Sequence, residues 1–283
     1  MRTYSIEQFN KEYPSDGVCL DELFQNRYGQ VKTCPKCGVM DTKFYRVKAR
    51  KCYACMYCGF QLHPTSGTIF HKSETAMTKW FFAVYLFSNS KNGVSAKELE
   101  RHLGVTYKTA WRMAKQIRLL IEQNQDLLSG TIEADETYYG GKHIRAAARS
   151  SKTPVLGLVE RKGRAKAVVS HTASRKTAQN FTDSNVDVNS TIYSNESPIY
   201  HHVSRKRSHE SINHAKREYA RVRVSTNTIE GFWSQLKRSL DGTYHSVSPK
   251  YLQSYVNEFV HSYNYRSVPI YPLMVATAAR PVR

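Results

Sequence analysis

Residues 78–87 are crowded with Trp, Phe, Tyr, Val and Leu, and this apolar run predicts a buried helix. A second helix follows Ser95, which can cap it, with Glu98 three residues on as a capping box requires. Leu99 and Leu103 face inward, Gly104 makes a turn, and Thr106 caps a third helix. There Ala110, Trp111, Ala114, Ile117 and Ile121 form the apolar side, leaving Tyr107, Lys108, Arg112, Lys115 and Arg118 more exposed. Residues 131–139 read as a strand, and 153–163 with 164–172 as a β-hairpin turning at Lys162-Gly163. Residues 174–181 form a short helix, 190–195 another strand, and 226–240 a helix. Ser248-Pro249 starts a last helix with Leu252, Tyr255, Phe259 and Tyr263 on one face. Three strands, a helix, a fourth strand and further helices predict a mixed α/β core. Four parts emerge: a helical lead-in over 1–30, a cysteine-rich module over 31–70, helices over 71–128 and the α/β part over 129–283. Internal repeats and long low-complexity linkers are absent from the sequence.

Composition narrows the function. Lys and Arg number 42 against 23 acids, a net charge of +19. That excess exceeds what solubility needs and favours a polyanion, with nucleic acid ahead of an anionic membrane surface. An apolar run near the length of a membrane span is missing, and the first residues lack the apolar centre of a signal peptide. The expected location is the compartment of synthesis: cytoplasmic and nucleoid-associated in a bacterium, nuclear in a eukaryote.

Five of the six cysteines fall between positions 34 and 58, which suits a metal site in a reducing compartment better than disulfides. Cys34-Pro-Lys-Cys37-Gly and Cys55-Met-Tyr-Cys58-Gly are two tight turns whose thiolates can complete a tetrahedral Zn²⁺ site. The 17 residues between the pairs hold a hairpin, with Phe44, Tyr45 and Val47 as strand residues. This predicts a zinc ribbon carrying a structural ion, because four sulfurs leave no open position. Cys52 precedes Cys55 by three and offers an alternative second pair; the repeated Cys-Gly knuckle favours Cys55 with Cys58. His63 is a weaker candidate and Cys19 a buried free thiol. Arg46, Lys48, Arg50 and Lys51 suit phosphate contact, as they would suit a solvated hairpin.

The helix, glycine turn and second helix over 95–121 match a helix-turn-helix, with a plain connector or a dimerisation element as the alternative. In the DNA-reading case Lys and Arg fix the register on phosphates, and Tyr107 or Lys108 reaches base edges.

Asp135 lies late in a strand, with Glu133 on the same face and Glu136 on the other. Asn195 ends a second strand, and Glu230 sits in the first turn of a helix. Polar groups at two strand ends and one helix start can converge on divalent ions, and hard Mg²⁺ or Mn²⁺ suits carboxylates.

The chain resembles bacterial insertion-sequence transposases of the DDE class, relatives of the Merlin elements. The resemblance runs through Cys34-Pro-Lys-Cys37, Cys55-Met-Tyr-Cys58, Gly67-Thr-Ile-Phe70 and Trp80. It continues through Asp135-Glu-Thr-Tyr-Tyr-Gly-Gly-Lys142, Thr153-Pro-Val-Leu-Gly157 and Asn213-His214. It ends with Asn227-Thr-Ile-Glu-Gly-Phe-Trp-Ser-Gln-Leu-Lys-Arg238 and Gly242-Thr-Tyr-His245. It implies an RNase H-like fold with an Asp-Asp-Glu triad binding two Mg²⁺ ions, matched here by Asp135, position 195 and Glu230. It also implies cutting of double-stranded DNA at terminal inverted repeats, joining of the 3′-OH to target DNA, and action as a dimer or larger assembly.

This chain departs at the middle position, where Asn195 keeps the size of aspartate and loses its charge. A weak metal pair and impaired catalysis follow, and neighbouring Glu196, on the opposite face of an extended strand, is a poor substitute. Seven basic residues, Arg205, Lys206, Arg207, Lys216, Arg217, Arg221 and Arg223, form a candidate phosphate wall, or else a solvated face. His214, Asn227 and Lys237 are candidate supports of the site, and Lys142, His143 and Arg238 candidate phosphate contacts. Trp233 reads as a packing residue. Tyr138 and Tyr139 flank the site by family likeness, and a phosphotyrosine mechanism is the weaker rival. Competing with a transposase are a non-enzymatic DNA-binding regulator and an RNase H-like nuclease that cuts without joining.

Overall fold

The computed structural model describes residues 4–121, 123, 125–140, 152–201, 203, 207–212 and 225–282. In chain order the helices are α1 (Ile6–Glu12), α2 (Asp16–Tyr28), α3 (Met77–Asn89), α4 (Ala96–Leu103), α5 (Tyr107–Arg118), α6 (Arg175–Asn185), α7 (Asn227–Ser239), α8 (Pro249–Asn264) and α9 (Tyr271–Ala278). The strands are β1 (Phe44–Val47), β2 (Cys52–Cys55), β3 (Gln61–Leu62), β4 (Thr131–Tyr139), β5 (Thr153–Glu160), β6 (Ala165–Val169), β7 (Thr191–Asn195) and β8 (Ser208–Ile212). Two compact units result: one from residues 1–90, 94–120 and 267–283, the other from 91–93 and 121–266. No helix among the described residues is long and apolar enough to cross a membrane.

The first unit joins a small antiparallel sheet, β1-β2-β3, to helices. Helix α2 lays Leu20 and Phe24 on Tyr53 of β2 and Leu62 of β3, and the Phe24 and Tyr53 rings stack at 4.0 Å. Burying these faces together stabilises a sheet too small to stand alone. Ser95 and Thr106 cap α4 and α5 through the backbone N–H groups of Glu98 and Thr109. Between them Gly104 adopts φ 58°, a left-handed geometry that ends α4 without a Cβ penalty.

Helix α9 also lies in this unit, whereas the sequence pattern predicts one unbroken part from 129 to 283. Tyr271 is buried, and its ring packs on Tyr4, Phe9, Tyr13 and Tyr85. Its hydroxyl meets no hydrogen-bond partner among the described residues. Tyr271→Ala is therefore expected to destabilise this unit by about 3–5 kcal/mol. Tyr271→Phe, which removes only the unsatisfied hydroxyl, is expected to be neutral or stabilising. Chemical denaturation of both variants checks this; equal losses would contradict it.

The second unit is a five-stranded mixed sheet in the order β6-β5-β4-β7-β8. The β4-β5 and β5-β6 pairs are antiparallel, the β4-β7 and β7-β8 pairs parallel. One core beside the sheet joins Val155, Ala165 and Ala167 to Ile229, Phe232, Trp233 and Leu236 of α7 and Leu252, Val256 and Phe259 of α8. A second core joins Ile132, Ala134, Leu158 and Ile192 to Ala178 of α6 and Tyr200. Strand β4 is thus central, paired on both edges, and its N-terminal half, Thr131 to Ala134, runs beside β7, so that Asp135 stands level with the end of β7. That neighbourhood sets the geometry below.

Candidate active site and metal centre

The β1-β2 hairpin brings the two cysteine knuckles together. In each, a glycine N–H closes the turn, Gly38 onto the Cys34 carbonyl and Gly59 onto that of Cys55, both at 3.0 Å. Those glycines have φ of 70° and 68°. The sulfurs of Cys34, Cys37, Cys55 and Cys58 all lie within 4.8 Å of one another. Four convergent soft donors fit a tetrahedral Zn²⁺. The Thr42 hydroxyl, 3.4 Å from Cys55 Sγ, holds that thiol down at about 6, towards the thiolate a metal needs. Cys52 is not among the four. Three residues before Cys55 on one strand, it points to the other face, where its S–H donates to Gln61 Oε1 at 3.5 Å. His63 is exposed, and Cys19 is buried, its thiol pushed up to about 12 by desolvation.

In the second unit the parallel register of β4 and β7, with Ala134 opposite Ser194, sets Asp135 beside Asn195 at the end of β7; Asp135, expected late in its strand, is the middle residue of β4, which runs on to Tyr139. Asn195 Nδ2 donates to Asp135 Oδ1 at 2.7 Å, and Asn195 Oδ1 accepts the backbone N–H of Ser197 at 3.1 Å. The other oxygen of Asp135 accepts from Trp233 Nε1 at 3.1 Å. Trp233 sits three residues beyond Glu230 on α7. Its ring lies over Gly157, the cross-strand partner of Asp135, where an added Cβ would stand 2.5 Å from the indole carbons. Glycine at 157 is what admits the indole.

Burial raises the Asp135 carboxyl to about 7, helped by the charges of Glu136 and Glu230 and opposed by the Trp233 N–H. Glu136 is raised too, chiefly by burial, and accepts from Ser197 Oγ at 3.1 Å on the opposite face of β4. Glu230 is exposed, with Oε1 accepting from Thr226 Oγ1 at 2.8 Å. Asn227, Glu230, Ser234 and Lys237 are all exposed and follow the three-to-four spacing of one helix face.

A family model described as an ISXO2-like transposase domain matches residues 127–264, and one described as a transposase zinc-ribbon domain matches residues 14–61. Together they take in roughly two thirds of the chain. The chain belongs to the IS1595 transposase family. It is also 30% identical over 131 residues, 45% of its length, to a protein described as uncharacterised in the transposable element ISH50 of Halobacterium salinarum. The match spans 43% of that relative's own length.

Within this chain the candidate DNA contacts divide. Tyr107, Lys108, Arg112 and Lys115 are exposed on α5, and Lys97 Nζ stands 4.9 Å above the Tyr107 ring. Arg112 also donates to the His71 carbonyl at 3.1 Å. Arg118, expected on the exposed side, is buried. Four residues after Ala114, it shares the core face, donates to the Val94 carbonyl at 3.0 Å and covers the Phe87 ring. Arg207, expected in a phosphate wall, is also turned inward. Its guanidinium pairs with Asp183 Oδ1 at 2.6 Å and donates to the Val186 and Asp187 carbonyls. Arg238 is exposed, with Nε donating to the Ser234 carbonyl at 3.3 Å. Lys142, His143, Arg205, Lys206, His214, Lys216, Arg217, Arg221 and Arg223 lie outside the described residues. Tyr138 is exposed, whereas Tyr139 packs against the α7-α8 core.

The residue that the sequence pattern undervalues is Glu133. It is fully buried and accepts from Arg161 Nε at 2.8 Å, Thr228 N at 2.8 Å, Thr228 Oγ1 at 3.0 Å and Ile229 N at 3.0 Å. Its one signal in the sequence is its spacing: Glu133 and Asp135, two apart, face the same way.

Proposed function

We propose that this transposase is of the DDE type and acts on double-stranded DNA at the terminal inverted repeats of its element. Asp135, position 195 and Glu230 are the catalytic constellation of an RNase H-like core within the second unit, a reading that the central place of β4 in the mixed sheet supports. The observation that carries it is the side-chain bond between Asp135 and Asn195 beside the helix of Glu230. Two divalent ions, Mg²⁺ or Mn²⁺, supply a DDE site with charge stabilisation of the attacked phosphate. The residues as they stand do not fit that pair. Asn195 turns an N–H, not an oxygen, towards Asp135, and the site lacks its second strand-end carboxylate. In this copy cutting is impaired while DNA recognition persists. That same observation favours the second reading, a DNA-binding regulator derived from a transposase.

Recognition falls to the first unit and to the exposed stripe of α7. Helices α4 and α5 form a helix-turn-helix with α5 in the major groove, the zinc ribbon adds backbone contacts, and Lys237 and Arg238 hold DNA beside the site. The active assembly is a dimer or larger on paired ends.

Fluorescence anisotropy with duplexes carrying the element ends tests binding. The expected result is preference for ends over random duplex and a steep fall of affinity with salt. Lys108→Ala and Lys115→Ala should each flatten the log–log slope by about one. Binding indifferent to salt and sequence would sink the proposal.

A further inference from the structure

We propose that Glu133 and Trp233 are positioning residues that key α7 to β4 at two points, so that Glu230 faces Asp135 in only one register. The first point is the start of the helix. An α-helix begins with backbone N–H groups that lack intrahelical partners, usually met by the N-cap side chain. The N-cap of α7, Thr226, makes no such bond. Glu133, reaching from β4, takes the N–H groups of Thr228 and Ile229 instead. Its charge also suits the positive end of the helix dipole. Arg161 on the segment after β5 closes the arrangement, binding Glu133 through Nε and the carbonyl and hydroxyl of Ser225 through Nη2, both at 2.8 Å.

The second point is the Trp233 N–H on Asp135 Oδ2, seated by the absence of a side chain at Gly157. The spacings agree. Glu133 and Asp135 lie two residues apart on one strand face, about 6.6 Å. The helical groups they bind are four to five residues apart, a rise of about 6 to 7.5 Å. A helix displaced by one turn would meet neither acceptor. Glu230 lies between the two points, one residue after the capped N–H groups and three before the indole. The buried acid of the Glu133-Ala-Asp135 pair is thus fully used by the protein's own donors and is not a spare metal ligand.

The consequence for cutting rests on the transposase reading above; the keying itself does not, and two measurements separate them. In the chain with Asn195, hydrogen exchange at the Thr228 and Ile229 amides is expected to be slow and to quicken at least tenfold in Glu133→Gln. The Trp233 indole proton is expected to exchange slowly and to lose that protection in Asp135→Ala. These two readouts are independent, so a poorly folded Glu133→Gln still leaves the second. In an Asn195→Asp background, Trp233→Phe keeps an aromatic side chain, though a smaller one, and removes the donor. It should lower kcat about tenfold or more with KM for end DNA within twofold. Unchanged amide and indole exchange would overturn the keying. Equal kcat with and without the donor would overturn its positioning role. If Asn195→Asp fails to cut at all, the transposase reading fails and exchange alone decides the keying.

Discussion

Asn195→Asp is expected to raise Mg²⁺-dependent cleavage of element-end duplexes by a hundredfold or more. The size of the effect follows from what one preorganised group is worth against charge developing in a transition state, on the order of 10² to 10³ in rate. It also follows from the present use of the position, where the Asn195 amide N–H satisfies Asp135 at 2.7 Å. An aspartate there would set two carboxylates against each other. At that separation and an effective dielectric of 20, two unit charges repel by roughly 6 kcal/mol, unless a proton or a cation intervenes. The variant should therefore melt several degrees lower than the Asn195 chain in EDTA near neutral pH and regain that loss with Mn²⁺ or Mg²⁺. The Asn195 chain should show little response to either ion. Gel analysis of end-labelled duplexes reads the first effect and thermal scans the second. A variant that neither cuts nor gains stability from the ions would remove position 195 from the site.

Removing the zinc is expected to have the largest structural effect. The ribbon sheet has three short strands, and its one apolar face rests on α2. Without an ion the four sulfurs between 34 and 58 have no reason to converge, and structural Zn²⁺ in comparable small modules contributes about 10–16 kcal/mol at neutral pH. Cys55→Ser should leave no bound zinc, open residues 14–61 to proteolysis and abolish tight DNA binding. Cys52→Ser, which loses only a weak S–H bond to Gln61, should keep one zinc per chain and bind DNA normally. Metal content of the two purified variants decides the ligand set. Loss of zinc in Cys52→Ser and its retention in Cys55→Ser would reverse the assignment.

Much of this architecture is legible in the amino-acid sequence, and the exceptions share physical causes. Strand β4 spans the residues 131–139 that read as a strand in the sequence. The hairpin turn at Lys162-Gly163 and the caps at Ser95 and Thr106 are local chemistry and are visible as such. Strand β8 gives no such signal because it is a polar edge strand, Ser208–Ile212, whose residues are mostly exposed. Arg118 and Arg207 mislead because charge suggests solvent, whereas their long side chains reach buried carbonyls and, for Arg207, a carboxylate. Glu133 hides its use because its partners, Thr228 and Ile229, lie 95 and 96 residues away. Trp233 reads as packing, which it is; the direction of its N–H depends on the fold.

The most direct test replaces a single non-bridging oxygen of the scissile phosphate with sulfur and assays the Asn195→Asp protein on that duplex. If oxygens from 135, 195 and 230 hold divalent ions against that phosphate, the modified strand should be cut poorly in Mg²⁺ and recover in the softer Mn²⁺. Equal cutting of both duplexes in both metals would contradict the account.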